Sequence, residues 1–428
     1  MKKRLAITQL MRHREPTLLV SGQTVSAFGD GVALVALTLL VLETTHNNAS
    51  MLSWFVAARM IPFVAMLLVG GAVVDRFSRR LLMLISDSAR AILTGLLAAL
   101  IASGTLRYWE LIVFGVLFGL FDSLFTPAMG ALVPEIVPED LLGAMNSLRP
   151  LTGNLVGNML GPAVGGLLAG YSVTVAVIVD CATFVVSAGA LFAMKPTPRP
   201  VRSTSASIVG DIGEGLRFVR SRTWIWTTLA AVTIGNAFVY VPMSVLVPYL
   251  LRHNLHVSKV YVGYAFAFSG IAGALGALVS SNLKVPRRRV RRMWTYWSIG
   301  TLAGLILAMA TNVYEVFLVS IIMTPMMILG NVIWETMMQS EVPTELLGRV
   351  NSVDWFVSLG IAPIGVVVAG SLATTIGVRA YYVIFSLVAT IPGLIILASR
   401  KANAVDAGRS GQVEVEARSV HEGLADQA

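Results

Sequence analysis

Long apolar runs recur along the whole chain and constrain its fold more than any other feature. Each run is about 20 residues long, which is the length an α-helix needs to cross ~30 Å of hydrocarbon. Only 13% of the 428 residues are charged, whereas a soluble domain carries about 25%. The sequence therefore predicts an all-α membrane protein with twelve transmembrane helices. The predicted spans, one to twelve, are residues 17–43, 49–74, 80–103, 108–133, 144–170, 173–194, 223–250, 259–284, 291–311, 314–340, 348–374 and 378–399.

The longest internal loop divides the twelve spans into two sets of six. This loop, 195–222, is rich in proline at first and then predicts a short amphipathic helix around 208–219. We therefore expect a first half at 1–194, a cytoplasmic linker, and a second half at 223–399. The polar tail, 400–428, is predicted to be disordered and cytoplasmic.

A short internal repeat supports this division. Residues 137–147 match residues 342–352 at seven of eleven positions, and both segments lead into the fifth span of their half. A repeat of six spans in the same direction predicts two pseudo-symmetric halves. Arg149 and Asp354 occupy equivalent positions across the repeat. We expect either a role in gating or simple anchoring of the helices for this pair.

The distribution of basic residues predicts the orientation. With the N-terminus inside, the inner segments hold 26 Lys and Arg residues and the outer loops hold four, with Arg59 and Arg149 assigned to spans. Loops rich in Lys and Arg stay on the cytoplasmic side. Both termini are therefore predicted to be cytoplasmic.

Residue content argues against several function classes. The net charge of +9 does not indicate nucleic-acid binding, because the basic residues lie in loops between apolar spans. The single cysteine, Cys181, lies in an apolar span and cannot form an internal disulfide. The five histidines lack the spacing of a metal site, and no phosphate-binding Walker motif is present. We expect no enzyme activity, cofactor or metal, and an ion gradient as the energy source.

The loop between spans two and three carries the most informative motif. An acidic residue lies inside a basic run at a fixed distance from a glycine. The run resembles the loop between helices two and three of the major facilitator superfamily, with Ser78 in place of the usual glycine. The matching residues are Gly71, Asp75, Arg76, Arg79 and Arg80.

The resemblance implies a gating role for this loop at the cytoplasmic side. Asp75 would approach the N-terminal end of span eleven, where the helix dipole favours an anion. Arg79 would pair with Glu135 at the inner end of span four. Such contacts would hold the two halves together at the cytoplasmic side while the cavity opens outward.

Span five combines small residues at every fourth position with a proline. This pattern lets helices approach closely and kinks the span, so it is compatible with an ordinary packing face. Its spacing also resembles the motif of exporters in the superfamily. Together with residues 26–31 of span one, it resembles the macrolide-efflux and siderophore-exporter branch. The motif residues are Gly157, Gly161, Pro162, Gly165 and Gly166.

Asp30 and Arg59 are charged residues inside spans, where a charge is costly and indicates function. Both lie near mid-depth, in spans one and two, so the two side chains could pair. Two interpretations remain open. The pair could be a structural ion pair, or Asp30 could be a carboxylate whose ionisation is coupled to substrate.

Asp122 lies at mid-depth in span four among aromatic residues that include Phe121. An acid among aromatic rings suits a cationic substrate, but it could equally form a solvated cavity wall. Gly115 stands where the family usually has an arginine in span four. By the resemblance, any proton role then falls on Asp30, Asp122 or Glu335.

Glu335 and Trp334 lie in span ten beside methionines. Methionine and aromatic side chains could form an adaptable pocket there, although packing is their commoner use. Asp180 in span six ranks lower, because that span is peripheral in the superfamily fold.

These features predict a monomeric secondary active exporter of amphiphilic small molecules in a bacterial inner membrane. Proton antiport by alternating access is the expected mechanism, with a cavity between the halves. Two alternatives stay open. One is a dedicated exporter or flippase of a siderophore or lysophospholipid. The other is a membrane sensor that does not transport.

Overall fold

The computed structural model describes residues 7–74, 77–195, 208–282 and 288–399, and these residues form helices joined by short turns without any β-strand. The all-α class is therefore confirmed. The predicted tail at 400–428 lies outside the described residues. The helices are α1 Arg14–Thr44, α2 Ala49–Val74, α3 Arg79–Ser103, α4 Tyr108–Ile136, α5 residues 142–171, α6 Val173–Ala193, α7 Ile208–Ser221, α8 Thr223–Asn254, α9 Val260–Asn282, α10 Arg289–Met309, α11 Val313–Glu341, α12 Thr344–Gly360 with Ala362–Thr375, and α13 Val378–Ala398.

Twelve of these helices coincide with the predicted spans, and α7 coincides with the predicted linker helix. Among the described residues, ten helices are long and apolar enough to cross a membrane. The other two are α5 and α10. A wider, π-helical stretch at Gly153–Leu160 interrupts α5, and α10 begins with arginines and carries tryptophans in place of aliphatic residues.

Two faces of the helix bundle can be defined from the chain path. We call the face where α1 begins and α6 ends the linker face, and the opposite face the far face. We call helices α1–α6 the first half and α8–α13 the second half. In the first half α1 packs against α5 and α6, and α3 packs against α4 and α6. In the second half α10 packs against α11 and α13.

Arginines fix the end of α6 at the linker face. The Arg80 guanidinium donates to the carbonyls of Leu191 and Phe192, each at 2.7 Å. Arg14 donates to the carbonyl of Ala193 at 3.0 Å. The last carbonyls of a helix lack partners within it, so these arginines stabilise the α6 terminus. Arg80 of the loop motif thus binds within the first half.

The halves meet tightly at the far face. A Cβ added to Gly166 in α5 would lie 2.6 Å from the Cα of Gly263 in α9. The Ser50 and Ser371 hydroxyls of α2 and α12 lie 3.3 Å apart. An ion pair of 2.5 Å joins Lys259, just before α9, to Glu43 at the end of α1.

The buried apolar core follows the same division. One core extends through both halves toward the far face, with members such as Val32, Phe118 and Tyr382. Toward the linker face the described residues form two separate cores, one in each half. Among the described residues, the two halves therefore share one core at the far face and have separate cores at the linker face.

Candidate functional site

A charged cluster lies inside the first half around Arg90 of α3. Its guanidinium is only 2% exposed and forms an ion pair with Asp87, one turn earlier in the same helix. The Asp122 carboxylate of α4 lies 3.0 Å from Arg90 Nη1, and the Asp30 carboxylate of α1 lies 3.9 Å from the same nitrogen. Three helices therefore bring three carboxylates to one arginine.

The cluster has a buried end and an accessible end. Asp87 is fully buried. The Ser187 hydroxyl of α6 donates to Asp87 at 2.6 Å, and the Gln23 amide donates to Ser187 at 3.1 Å. By contrast, the Asp30 and Asp122 side chains are 37% and 35% exposed. These two carboxylates are therefore the more accessible members of the cluster.

Aromatic rings surround the cluster. The Arg90 guanidinium carbon lies 4.4 Å from the Phe184 ring centroid and 5.1 Å from that of Phe125. Arg59 of α2 lies over the Phe118 ring at 4.4 Å. A cation over an aromatic face is attracted to it, and more strongly when water is excluded. The rings therefore help to hold two arginines at depth.

The predicted direct pair between Asp30 and Arg59 is wrong, because no ion pair joins these two described side chains. Gly119 lets the α4 backbone approach α2 so closely that an added Cβ would lie 2.1 Å from the Arg59 carbonyl. That crossing places the Arg59 guanidinium over Phe118. Arg90 is the arginine nearest to Asp30.

Sequence reasoning missed Arg90 and Asp87. It counted Arg90 among the inner basic residues at 76–90, although its side chain is buried in α3. Moving it leaves 25 inner residues against four, so the expected orientation is unchanged. The i,i+3 spacing of Asp87 and Arg90 was the signal that could have identified the pair.

Asp180, which the sequence analysis ranked lower, is enclosed inside the first half. Its side chain in α6 is fully buried, and neither carboxylate oxygen has a hydrogen-bond partner among the described residues. A Cβ at Gly29 of α1 would lie 2.8 Å from Asp180 Oδ1. Close packing of α1 on α6 therefore encloses this carboxyl.

A second constellation lies in a cavity of about 330 Å³ within the second half. It combines Glu335 and Trp334 of α11, as predicted, with Asp354 of α12. The Trp334 indole donates to Asp354 at 2.8 Å, and the Ser358 hydroxyl donates to it at 3.0 Å. The sequence left either gating or helix anchoring open for Asp354, and the structure shows that it lines this pocket. The Arg149 side chain lies outside what the structure describes.

The loop motif is only partly described. Arg79 forms an ion pair with Glu135. Arg79 was expected to pair with Glu135, and it does. Because both residues belong to the first half, this pair alone does not hold the two halves together. Gly71 lies in α2, but its contacts are not among those that the structure describes. Asp75 and Arg76 lie outside the described residues.

The glycines of the α5 motif face two different helices. Added Cβ atoms at Gly161 and Gly165 would lie within 2.8 Å of α1 backbone atoms, and Gly157 also faces α1. Gly166 faces α9 of the second half. Pro162 follows the π-helical stretch and cannot donate to the carbonyl four residues earlier. The motif therefore packs α5 both within its half and across the halves.

No group of three or more His, Cys, Asp or Glu side chains among the described residues is arranged to hold a metal ion. The charged groups described above are therefore the ion pairs of the first-half cluster and the two carboxylates of the second-half pocket.

Comparison with known proteins agrees with this architecture. The profile of the Major Facilitator Superfamily matches residues 19–357. The multidrug efflux pump Tap of Mycobacterium tuberculosis is 28% identical over 411 residues, covering 90% of this chain and 93% of its own. Macrolide efflux protein A of Streptococcus pyogenes is 22% identical over 372 residues, covering 85% and 90%. A mutant of the nucleoside transporter NupG superposes with a TM-score of 0.73 at 12% identity, covering 89% and 99%.

Proposed function

This chain belongs to the Major Facilitator Superfamily, and on that premise we propose that it exports amphiphilic small molecules by proton antiport. It is a multi-pass membrane transporter rather than an enzyme. Its relatives include proteins named as multidrug and macrolide efflux pumps, which supports the direction of transport. We assign it to the bacterial plasma membrane as a monomer.

The observation that carries the proton coupling is the Arg90 cluster. Three carboxylates share one buried arginine. Charged groups at membrane depth are costly, so those that a protein retains usually serve a function. Asp30 and Asp122 lie at the accessible end of the cluster. A proton that binds either carboxylate weakens its attraction to Arg90, and the guanidinium then shifts its pairing toward the remaining acids.

Alternating access couples this change to the two faces. The basic loops favour a cytoplasmic linker face, so the far-face contacts describe a state closed to the outside. In this state the Glu43–Lys259 ion pair and the Gly166–Gly263 contact hold the halves together. Releasing these contacts, with closure at the linker face by the loop around Asp75, gives the outward-open state.

The domain arrangement follows the same proposal. Two six-helix halves move against each other, and α7 links them. An ion pair between Glu214 of α7 and Arg349 of α12 fixes the linker helix to the second half. The lining of the second-half pocket contains no Lys, Arg or His, which disfavours anionic substrates such as a ferric siderophore.

Replacing either accessible carboxylate will uncouple efflux. We expect Asp30→Asn and Asp122→Asn each to lower proton-driven efflux about tenfold or more. An amide cannot bind and release a proton as the carboxylate does, so its interaction with Arg90 no longer responds to protonation. The measurement is ethidium efflux from energised bacterial cells, with and without a protonophore, at matched protein levels in the membrane.

Asp140→Asn is the matched control, since Asp140 is exposed at the linker face between α4 and α5. It should retain wild-type efflux. Full efflux by both Asp30→Asn and Asp122→Asn would disprove coupling through the cluster, as would wild-type efflux that the protonophore leaves unchanged.

A further inference from the structure

The second-half pocket contains buried polar atoms without partners. Among the described residues, Thr228 Oγ1, Trp294 Nε1 and Ser298 Oγ are buried and form no hydrogen bond, and all three residues line the pocket. A buried polar group without a partner costs free energy. The indole N–H of Trp294 can only donate, so the missing partner there is an acceptor atom.

Trp294 and Ser298 both pack against α13. A Cβ added to Gly393 of α13 would lie 2.7 Å from Ser298 Oγ and 2.9 Å from the six-membered ring of Trp294. Trp294 also packs edge-to-face on Trp297, with centroids 5.2 Å apart. The Trp294 ring therefore has neighbours on two sides and cannot easily turn away to find another partner.

The charge of the pocket favours a cation. Asp354 is oriented by hydrogen bonds from Trp334 and Ser358, whereas Glu335 has no hydrogen bond or ion pair among the described residues. The lining includes no basic side chain and contributes four indole rings, from Trp294, Trp297, Trp334 and Trp355. Tryptophan is the best aromatic partner for a cation.

The size of the pocket limits its ligand. Its volume of about 330 Å³ lies at the lower end of the ~300–1,000 Å³ of drug-sized sites. A compact ring system fits such a volume, whereas a macrolactone with attached sugars does not.

We propose that the second-half pocket is a binding site for a compact organic cation that carries a hydrogen-bond acceptor. Glu335 pairs with the cationic centre, the indole rings enclose the ring system, and Trp294 donates to the acceptor. The binding site itself is argued from the pocket alone. The proposal rests on the proposed function only where it takes the bound ligand to be the molecule that is exported.

The test measures equilibrium binding to the purified full-length protein in lipid nanodiscs at pH 8 by titration calorimetry. Three probes separate charge from acceptor. 6-Carbamoyl-1-methylquinolinium has both, 6-carbamoylquinoline lacks the charge, and 1-methylquinolinium lacks the acceptor. We expect the first probe to bind about tenfold more tightly than either of the others, the effect of one added polar interaction.

Two variants assign the contacts. Glu335→Gln should weaken the first probe about tenfold and leave 6-carbamoylquinoline unchanged. Trp294→Phe should weaken the first probe about tenfold and 1-methylquinolinium much less, because phenylalanine keeps an aromatic ring and lacks only the N–H donor. Glu315→Gln, which lies about 30 Å away along α11, and Trp109→Phe, which is exposed in the first half, are controls that should bind like the wild type. If Trp294→Phe does not fold, the wild type alone tests the acceptor contact, because equal binding of the first probe and 1-methylquinolinium would overturn it.

Equal binding of the charged and neutral quinolines, or an unchanged affinity in Glu335→Gln, would overturn the cation site. Loss of 1-methylquinolinium binding in Trp294→Phe would overturn the acceptor contact. No proton gradient is present, so a failure of proton antiport leaves these results unaffected. Conversely, failed binding alongside intact proton-driven efflux would reject only this site.

Discussion

Arg90→Ala will abolish efflux and lower the free energy of unfolding by about 3–5 kcal/mol, the cost of breaking a buried charge pair. Asp87 is fully buried, and without the guanidinium only the Ser187 hydroxyl donates to it among the described residues. Water cannot solvate the carboxylate left behind. The effect is large because one arginine neutralises several acids.

The double variant Arg90→Ala/Asp87→Ala separates stability from function. It removes both buried charges, so most of the lost stability should return while efflux remains absent. Thermal unfolding in detergent and ethidium efflux measure the two effects. Arg217→Ala, at an exposed position on α7, should change stability by no more than about 0.5 kcal/mol. Equal stability of Arg90→Ala and the wild type would show that Arg90 does not neutralise the cluster.

Gly263→Ala will shift the transporter away from the state that is closed at the far face. The added Cβ would lie 2.5 Å from the Cα of Gly166 and 2.7 Å from the Pro162 carbonyl oxygen. Both are backbone atoms, so α5 and α9 must separate. Overpacking of this kind costs about 1–3 kcal/mol, which changes the ratio of the two states by about fivefold or more, and efflux falls with it.

Distances between spin labels at the far face measure this shift. Cysteines introduced by His46→Cys and Ser258→Cys, in a Cys181→Ala background, place one label on each half. We expect longer distances in Gly263→Ala than in the parent protein. Gly189→Ala is the matched control, because nothing lies within 4 Å of its added Cβ. Unchanged distances and full efflux in Gly263→Ala would show that this contact does not govern closure.

Local sequence predicted the helices well, because the thickness of the bilayer limits their length. The apolar spans, the linker helix and the choice of Asp30 and Asp122 as candidate functional residues all followed from the cost of placing polar groups in hydrocarbon. That cost depends on the residue and its depth, and both can be read along the chain.

Partners across helices could not be predicted in the same way. The sequence suggested Arg59 for Asp30, yet the crossing at Gly119 places Arg59 over Phe118 and leaves Arg90 as the nearer arginine. Asp354 likewise accepts a hydrogen bond from Trp334, a partner that the sequence repeat did not suggest. Which side chains meet depends on how each helix is rotated and how closely it approaches its neighbours.

Hydropathy along the chain was therefore enough to predict a twelve-helix membrane protein with costly acids at mid-depth. The folded molecule was needed to see that three acids share Arg90, that the α5 glycines bring the halves together at the far face, and that five helices enclose the tryptophan-lined pocket. This difference arises because hydrophobicity acts on each segment separately. Charge pairing and close packing depend on distances of a few ångströms between segments far apart in the chain.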